Sequence, residues 1–140
     1  MTVAIAILNW NGKHWLEKFL PNVVEFSNEA QIYIIDNAST DDSVCFVEKY
    51  FPTVKIIKNK KNTGFAGGYN EGLKHITEEI YCLLNSDVEV TENWINPIVE
   101  LFKKNPEIAA IQPKIRAFKN DNFFEFAGAG GGLMDNLGYP

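Results

Sequence analysis

Four apolar runs of this 140-residue sequence lead into residues that can bind polar ligands. In chain order, these residues are Asn9-Trp10-Asn11, Asp36-Asn37, Asn62 with Gly64, and Asn85-Ser86-Asp87 followed by Glu89. The runs are rich in Val and Ile, which is typical of strands buried on both faces of a parallel sheet. Because such sheets bind ligands at the carboxyl ends of their strands, we expect the four groups to converge on one site.

The acidic residues after the fourth run have the chemistry of a cation site. Asp87 and Glu89 are carboxylates at the end of a buried strand. Mg²⁺ or Mn²⁺ typically takes one or two protein carboxylates and completes its shell with phosphate oxygens and water. The alternative is a turn stabilised by its own Asp and Asn side chains.

The earlier groups are suited to a nucleoside and a diphosphate. Trp10 offers an aromatic face for a base, or else packs at the rim of the core. Asp36 can accept a hydrogen bond from a base or ribose, or cap the next helix. The glycine-rich residues 62–70 can present backbone N–H groups to an anion at a helix start, or pack a helix closely on the sheet.

Strand and helix patterns alternate along the chain. Strands are predicted at Val3–Leu8, Gln31–Ile35, Val54–Ile57, Ile80–Leu84 and Ile108–Ile111, with helices over 13–26, 44–51, 65–76 and 95–102. Pro21 predicts a kink in the first helix. Short connections between alternating elements predict an α/β domain with a largely parallel sheet.

Composition excludes several classes of protein. Asp and Glu number 18 against 13 Lys and Arg, so the net charge is −5, which argues against broad nucleic-acid binding. Two cysteines cannot form a disulfide framework, and no run reaches the roughly 18 apolar residues of a membrane span. The sequence has neither a dinucleotide-binding G-x-G-x-x-G nor a P-loop, and His14 and His75 have no partner at ligand spacing.

Four segments, VAIAILNWNG, IIDNASTDDS, NTGFAGGYNEG and LLNSDVEV, occur in an order and spacing that resemble family 2 glycosyltransferases. The resemblance covers nearly the whole chain and is strongest to bacterial rhamnosyltransferase-like members. It implies a GT-A fold, a Rossmann-like nucleotide-diphospho-sugar transferase fold with a mostly parallel sheet. It also implies one domain over 1–140, with a donor-binding half over 1–113 and the start of the acceptor-side region over 114–140.

The resemblance implies roles for individual residues. Residues of the first loop would cradle the nucleobase, the second loop would supply an acidic pair, the third would close over ribose and diphosphate, and the fourth corresponds to a D-x-D motif. The nucleotide-sugar-binding residues are then Leu8, Asn9, Trp10, Asp36, Asn37, Asn62, Gly64, Gly67, Gly68, Asn70, Asn85 and Ser86. Asp87 would bind the cation, Mg²⁺ or Mn²⁺, and Glu89 would assist it.

The sequence departs from the family pattern in ways that affect the expected function. Asn37 and Asn85 stand where many relatives have Asp, which favours dTDP-rhamnose as donor, and Tyr69 stands where relatives often have Arg. The late acids, Asp121, Glu125 and Asp135, do not match the family's base motif. We therefore expect the catalytic base beyond Pro140, and a chain truncated at its C-terminus that is the donor-binding part of a longer enzyme.

The resemblance predicts an inverting transfer of sugar from dTDP-rhamnose or a UDP-sugar to an acceptor hydroxyl. The acceptor would be a carbohydrate or lipid-linked molecule in bacterial cell-surface polysaccharide synthesis. We expect a cytoplasmic protein at the inner face of the membrane, with homo-oligomers where an apolar edge pairs. The alternative is a non-catalytic nucleotide-binding or interaction module. A flavodoxin-like or response-regulator domain fits less well, because no Lys follows a later strand in the right place.

Overall fold

The structure is a computed structural model and describes residues 1–124. The strands are β1 (Val3–Asn9), β2 (Gln31–Asp36), β3 (Lys55–Lys58), β4 (Ile80–Leu84), β5 (Arg116–Ala117) and β6 (Asn120–Phe124). The helices are α1 (Lys13–Glu25), α2 (Ser43–Tyr50), α3 (Gly64–Gly72) and α4 (Ile95–Lys104), with a 3₁₀ turn at Leu73–His75. The α/β alternation predicted from the sequence is therefore confirmed. The predicted kink at Pro21 is not accompanied by a break, since α1 continues to Glu25.

The first four strands form one parallel sheet in the order β3-β2-β1-β4. In the register of the two central strands, Asn9 is the partner of Asp36. β1 and β2 therefore end at the same level, and the loops that follow them begin side by side.

One face of β1 carries small residues and lets a helix approach closely. Ala4 and Ala6 are fully buried there and belong to the same core cluster as Tyr69 of α3. Glycines in α3 complete the close contact: a Cβ at Gly68 would lie 2.7 Å from Leu8, and one at Gly72 would lie 2.5 Å from Ile35. Because real Cβ atoms do not approach other atoms so closely, these glycines are required for packing, and they hold α3 at the carboxyl end of the sheet.

The chain divides into two compact units, Met1–Val99 and Glu100–Pro140. The first unit contains the four-stranded sheet and the loops at its carboxyl end. The second contains most of α4 and the antiparallel pair of β5 and β6, which the sequence did not predict. The predicted boundary between a donor-binding half over 1–113 and an acceptor-side region over 114–140 remains a prediction. Two of the late acids, Glu125 and Asp135, lie outside the described residues.

The predicted fifth strand at Ile108–Ile111 is wrong. The backbone N–H of Ile108 donates to the Asn105 carbonyl in a turn, and no strand forms between the end of β4 at Leu84 and Arg116. Pro106 and Pro113 flank the four-residue apolar run, and neither can donate to a strand ladder. Hydrophobicity alone was therefore insufficient to predict a strand here.

Across residues 1–124, α-helices are too short or too polar to cross a membrane.

Candidate functional site

Asn9 ends β1 and joins it to the loop between β2 and α2. Its side chain is 1% exposed, and Nδ2 lies 3.2 Å from Asp36 Oδ1, 3.1 Å from Ser39 Oγ and 2.9 Å from Ser43 Oγ. Asn9 Oδ1 has no hydrogen-bond partner among residues 1–124. A Cβ on Gly12 would lie 2.6 Å from this oxygen. We call Asn9, Asp36, Ser39 and Ser43 the Asn9 cluster; it aligns the ends of β1 and β2.

Asp36 is 4% exposed, and both of its carboxylate oxygens accept hydrogen bonds within this cluster. Oδ1 accepts from Asn9 Nδ2, and Oδ2 accepts from the Ser39 backbone N–H at 3.1 Å. Each carboxylate oxygen has a second acceptor site. The side chain therefore holds the loop after β2 and keeps acceptor capacity for a ligand.

The loops after β1 and β2 are also tied to each other through Asn11. Its Oδ1 accepts from the backbone N–H groups of Thr40 at 2.7 Å and Asp41 at 3.3 Å. Asn11 and Ala38 both have left-handed backbone, with φ of 50° and 61°. Strained backbone of this kind persists where surrounding contacts determine it, and it is common in ligand-binding loops.

Asp41 accepts hydrogen bonds from three donors at the start of two helices. Ser43 Oγ and the Ser43 N–H donate to Oδ1, and the Lys13 N–H donates to Oδ2 at 3.1 Å. Burial raises the pKa of the Asp41 carboxyl, but these hydrogen bonds outweigh it and leave the pKa below its usual value. The charged form is therefore the one that this loop stabilises.

Trp10 follows the buried Asn9 and precedes the exposed Asn11, and its side chain is 59% exposed. An exposed indole at the carboxyl end of a buried strand is available for stacking against a planar ligand. Phe65, at the start of α3, is similarly exposed at 64%.

Asn37 follows Asp36 and is bonded to the loop between β3 and α3. Its Nδ2 donates to Asn62 Oδ1 at 2.9 Å and to the Gly64 carbonyl at 3.1 Å. Its Oδ1 accepts from Asn59 Nδ2 at 3.1 Å and from the Thr63 N–H at 3.5 Å. We call Asn37, Asn59, Asn62, Thr63 and Gly64 the Asn37 cluster.

Tyr69 places a buried hydroxyl between the ends of β1 and β4. The hydroxyl lies 3.2 Å from the Leu84 carbonyl and accepts from the Leu8 N–H at 3.4 Å. Burial raises the pKa of Tyr69, and the Leu8 hydrogen bond lowers it by less, so the hydroxyl stays protonated. The sequence identified Tyr69 only as a departure from the family pattern and did not predict this contact.

The turn after β4 differs from the loops after β1, β2 and β3 in the hydrogen bonding of its polar side chains. Asn85, Asp87 and Glu89 are exposed, Ser86 is half-buried, and within residues 1–124 none has a side-chain hydrogen bond or ion pair. No group of three or more His, Cys, Asp or Glu side chains comes together in the described part of the chain. Asp87 and Glu89 offer carboxylate oxygens, the kind of ligand that hard cations prefer.

The structure adds residues to this edge that sequence reasoning missed. Ser39 and Ser43 complete the Asn9 cluster, and Asn59 completes the Asn37 cluster. Asn59 is the first residue after β3, so inspection of every strand end would have found it. Ser43 had no comparable signal, since the sequence does not show which serine will be buried beside Asn9.

Comparisons with known proteins identify the class. The parallel sheet flanked by helices is a GT-A glycosyltransferase fold, as its solved neighbours show. The sequence profile described as "Glycosyl transferase family 2" matches residues 3–132. The chain therefore belongs to glycosyl transferase family 2, which confirms the family resemblance drawn from the four motifs.

Two curated relatives illustrate the similarity. An uncharacterized glycosyltransferase from Haemophilus influenzae is 26% identical over 113 residues, covering 78% of this chain and 35% of the relative. A poly-beta-1,6-N-acetyl-D-glucosamine synthase from Staphylococcus epidermidis is 29% identical over 119 residues, covering 81% of this chain and 29% of the relative. The chain thus spans about a third of the length of these curated relatives, or less.

Two solved structures share the fold. TarS residues 1–349 from S. aureus, in complex with UDP-GlcNAc, has a TM-score of 0.67 and 16% identity, covering 82% of this chain and 38% of that one. The mannosyltransferase PcManGT from Pyrobaculum calidifontis, in complex with GDP-Man and Mn²⁺, has a TM-score of 0.64 and 20% identity, covering 81% and 33%. At these identities the likeness establishes the fold.

Proposed function

We propose that this chain forms the donor-binding part of an inverting glycosyltransferase that moves a sugar from a nucleotide-diphosphate sugar to an acceptor hydroxyl. One observation carries the proposal: the sheet edge of a family 2 chain has an exposed Trp10 after β1 and an exposed, unpaired Asp87 after β4. The first offers a face for a base, and the second offers a ligand for a cation.

The nucleoside would bind at the loops after β1 and β2. Trp10 stacks on the base beside Leu8 and Asn9, and the remaining acceptor sites of Asp36 bind an N–H or O–H of the nucleoside. Residues of the third and fourth loops would surround the ribose and diphosphate: Asn62, Gly64, Gly67, Gly68, Asn70, Asn85 and Ser86.

Asp87, assisted by Glu89, would hold the divalent cation, Mg²⁺ or Mn²⁺. The cation supplies Lewis-acid stabilisation of the departing nucleoside diphosphate. Two carboxylates leave most of the coordination shell to the diphosphate and water, so cation and nucleotide should bind cooperatively. The Mn²⁺ in the complex of the mannosyltransferase neighbour supports this assignment.

For the donor we propose dTDP-rhamnose or a UDP-sugar. The UDP-GlcNAc complex of TarS favours the second. The acceptor would be a carbohydrate or lipid-linked hydroxyl in cell-surface polysaccharide synthesis, which the S. epidermidis polysaccharide synthase supports. Such a reaction would take place on the cytoplasmic side of the membrane, where sugar nucleotides are made.

Isothermal titration calorimetry with UDP and with dTDP, each with and without Mn²⁺, tests the donor site. We expect at least one nucleotide to bind, and to bind more tightly with Mn²⁺. Asp87→Ala should abolish the effect of Mn²⁺, whereas Glu92→Ala, which removes an exposed carboxylate from the following loop, should preserve it. Failure of both nucleotides to bind would refute the proposal.

The alternative is a module that binds nucleotides without catalysis. Release of UDP from UDP-GlcNAc in the presence of Mn²⁺ distinguishes the two. Nucleotide binding by the full-length protein, without any sugar transfer or donor hydrolysis, would favour the module.

A further inference from the structure

The hydrogen-bonding capacity of Asn37 is used entirely within the protein. A carboxamide has two N–H donors and an oxygen with two acceptor sites. Both N–H groups and the oxygen of Asn37 are bonded to residues 59–64, and the side chain is only 2% exposed. A nucleotide could bond to this side chain only by displacing one of these contacts.

The orientation of the Asn37 amide is determined by backbone groups. The Gly64 carbonyl can only accept a hydrogen bond, so the group facing it at 3.1 Å must be Nδ2. Asn62 Oδ1 accepts from the Gly64 N–H at 2.8 Å, so it too requires a donor from Asn37. A carboxylate at this position would place oxygen against two acceptors.

The residues held by Asn37 form the start of α3. Gly64 is the first residue of that helix and has a φ of 75°, in the left-handed region. A Cβ at Gly68, one turn further on, would lie 2.9 Å from Asn37 Nδ2. Asn37 therefore fills the space between the end of β2 and the first turns of α3.

We propose that Asn37 is a positioning residue, which holds residues 59–64 in the conformation that binds the donor's ribose and diphosphate, and is not itself a nucleotide ligand. The link to the donor rests on the function proposed above. One consequence concerns specificity: Asn is required here by the acceptors of its own loop, so its presence does not indicate the donor sugar.

Hydrogen exchange of the nucleotide-free protein tests the positioning role independently of ligand binding. Asn37→Ala should accelerate exchange of the Thr63 and Gly64 N–H groups, while exchange in α1 stays unchanged. Asn28→Ala is the matched control, because Asn28 is exposed and donates only to Glu25 within the described residues. Unchanged exchange at residues 63 and 64 would overturn the proposal even if nucleotide binds.

Two substitutions separate positioning from direct binding. Asn37→Asp keeps the shape and the acceptor oxygen but loses both donors. A side chain that only accepts a hydrogen bond from the base or ribose would keep that contact in Asn37→Asp. A positioning side chain that must donate to Asn62 and Gly64 would lose both contacts. We expect Asn37→Asp and Asn37→Ala each to weaken binding of UDP with Mn²⁺ by about tenfold. Wild-type affinity in Asn37→Asp would overturn the proposal.

A double-mutant cycle with Asn59 completes the test. If Asn37 acts through its loop, Asn37→Ala combined with Asn59→Ala should bind UDP little worse than the weaker single variant. Additive losses would show an independent contact with the nucleotide and contradict the positioning role. A wild-type protein that binds neither UDP nor dTDP would refute the donor function and leave the exchange result to decide whether Asn37 holds the loop.

Discussion

The carboxyl edge of the sheet has two differently built regions, which we call its first end (the loops after β1, β2 and β3) and its second end (the turn after β4). After β1 and β2, the side chains of Asn9, Asp36 and Asn37 are buried and are hydrogen-bonded to residues of the neighbouring loops. After β4, the residues from Asn85 to Glu89 include three exposed polar side chains without hydrogen bonds in the described part of the chain. Both ends belong to the same compact unit and to the same parallel sheet.

The two ends differ in how much conformational entropy they would lose when a ligand binds. Loops that are already held by internal hydrogen bonds lose little conformational entropy on binding, which favours affinity. On the proposed function, the exposed carboxylates of the turn after β4 would gain their partners only when a cation and a diphosphate bind. We therefore expect changes at the first end to alter stability, and changes at the second to alter metal-dependent binding.

Asn9→Ala should produce the largest loss of stability at this edge. The change leaves Asp36, Ser39 and Ser43 without a shared buried donor, and unsatisfied buried groups cost about 1–3 kcal/mol each. Because loops relax and water can enter, we expect a total loss of about 3 kcal/mol in the free energy of unfolding, measured by urea denaturation.

Asn28→Ala provides the control for this experiment. It removes an exposed side chain, so the free energy of unfolding should change by less than about 0.5 kcal/mol. Similar losses in the two variants would contradict the distinction between buried and exposed polar groups on which the comparison rests.

Much of the fold could be predicted because its strands are short apolar runs buried on both faces. Val3–Leu8 and Ile80–Leu84 differ from the observed β1 and β4 by one residue at most. Ile108–Ile111 is also an apolar run, but Pro106 and Pro113 flank it and it forms no strand. Local hydrophobicity does not report whether a neighbouring strand is available.

The convergence of the polar residues followed from topology, since parallel strands end at one edge. The roles of Asn37 and Tyr69 did not follow, because they depend on which backbone groups the loops present. Asn37 faces the Gly64 carbonyl because α3 lies close to the sheet, where a Cβ on Gly68 would come within 2.7 Å of Leu8. Such hydrogen bonds are set by tertiary packing and leave no periodic signal in the sequence.

Tyr69→Phe tests the contact that lies between the two ends. It removes only the hydroxyl that is bonded to Leu8 of β1 and Leu84 of β4, and leaves the buried ring in place. We expect the free energy of unfolding to fall by about 1 kcal/mol, the usual value of one buried hydrogen bond. A loss below the error of urea denaturation would show that the ends of β1 and β4 are aligned by the sheet alone.

Asp87→Ala should leave the free energy of unfolding within about 0.5 kcal/mol of the wild-type value, because the side chain is exposed and unpaired in the described structure. The same variant should lose the Mn²⁺-dependent part of nucleotide binding. Paired urea denaturation and calorimetry on one preparation measure both effects. A clear loss of stability would mean that the turn after β4 is ordered before ligand binds, and the contrast between the two ends would fail.

The smallest expected effect is the pH dependence contributed by Asp41. Because the pKa of its carboxyl is lowered in the folded protein, the charged form stabilises the fold at pH values above the usual carboxyl pKa of 3.8. That contribution declines as the pH falls from there through the lowered pKa, and Asp41 is exposed enough for solvent to screen much of it. Asp41→Asn should therefore lose less stability than the wild type when urea denaturation is repeated from neutral pH to about pH 3. Asp42→Asn is the matched control, since within residues 1–124 the side chain of Asp42 has only an exposed ion pair with Lys13 at 3.8 Å. If Asp41→Asn retained the full acid sensitivity of the wild type, the hydrogen bonds from Ser43 and Lys13 would not favour the charged carboxylate, and the first end of the edge would be less firmly held than its geometry indicates.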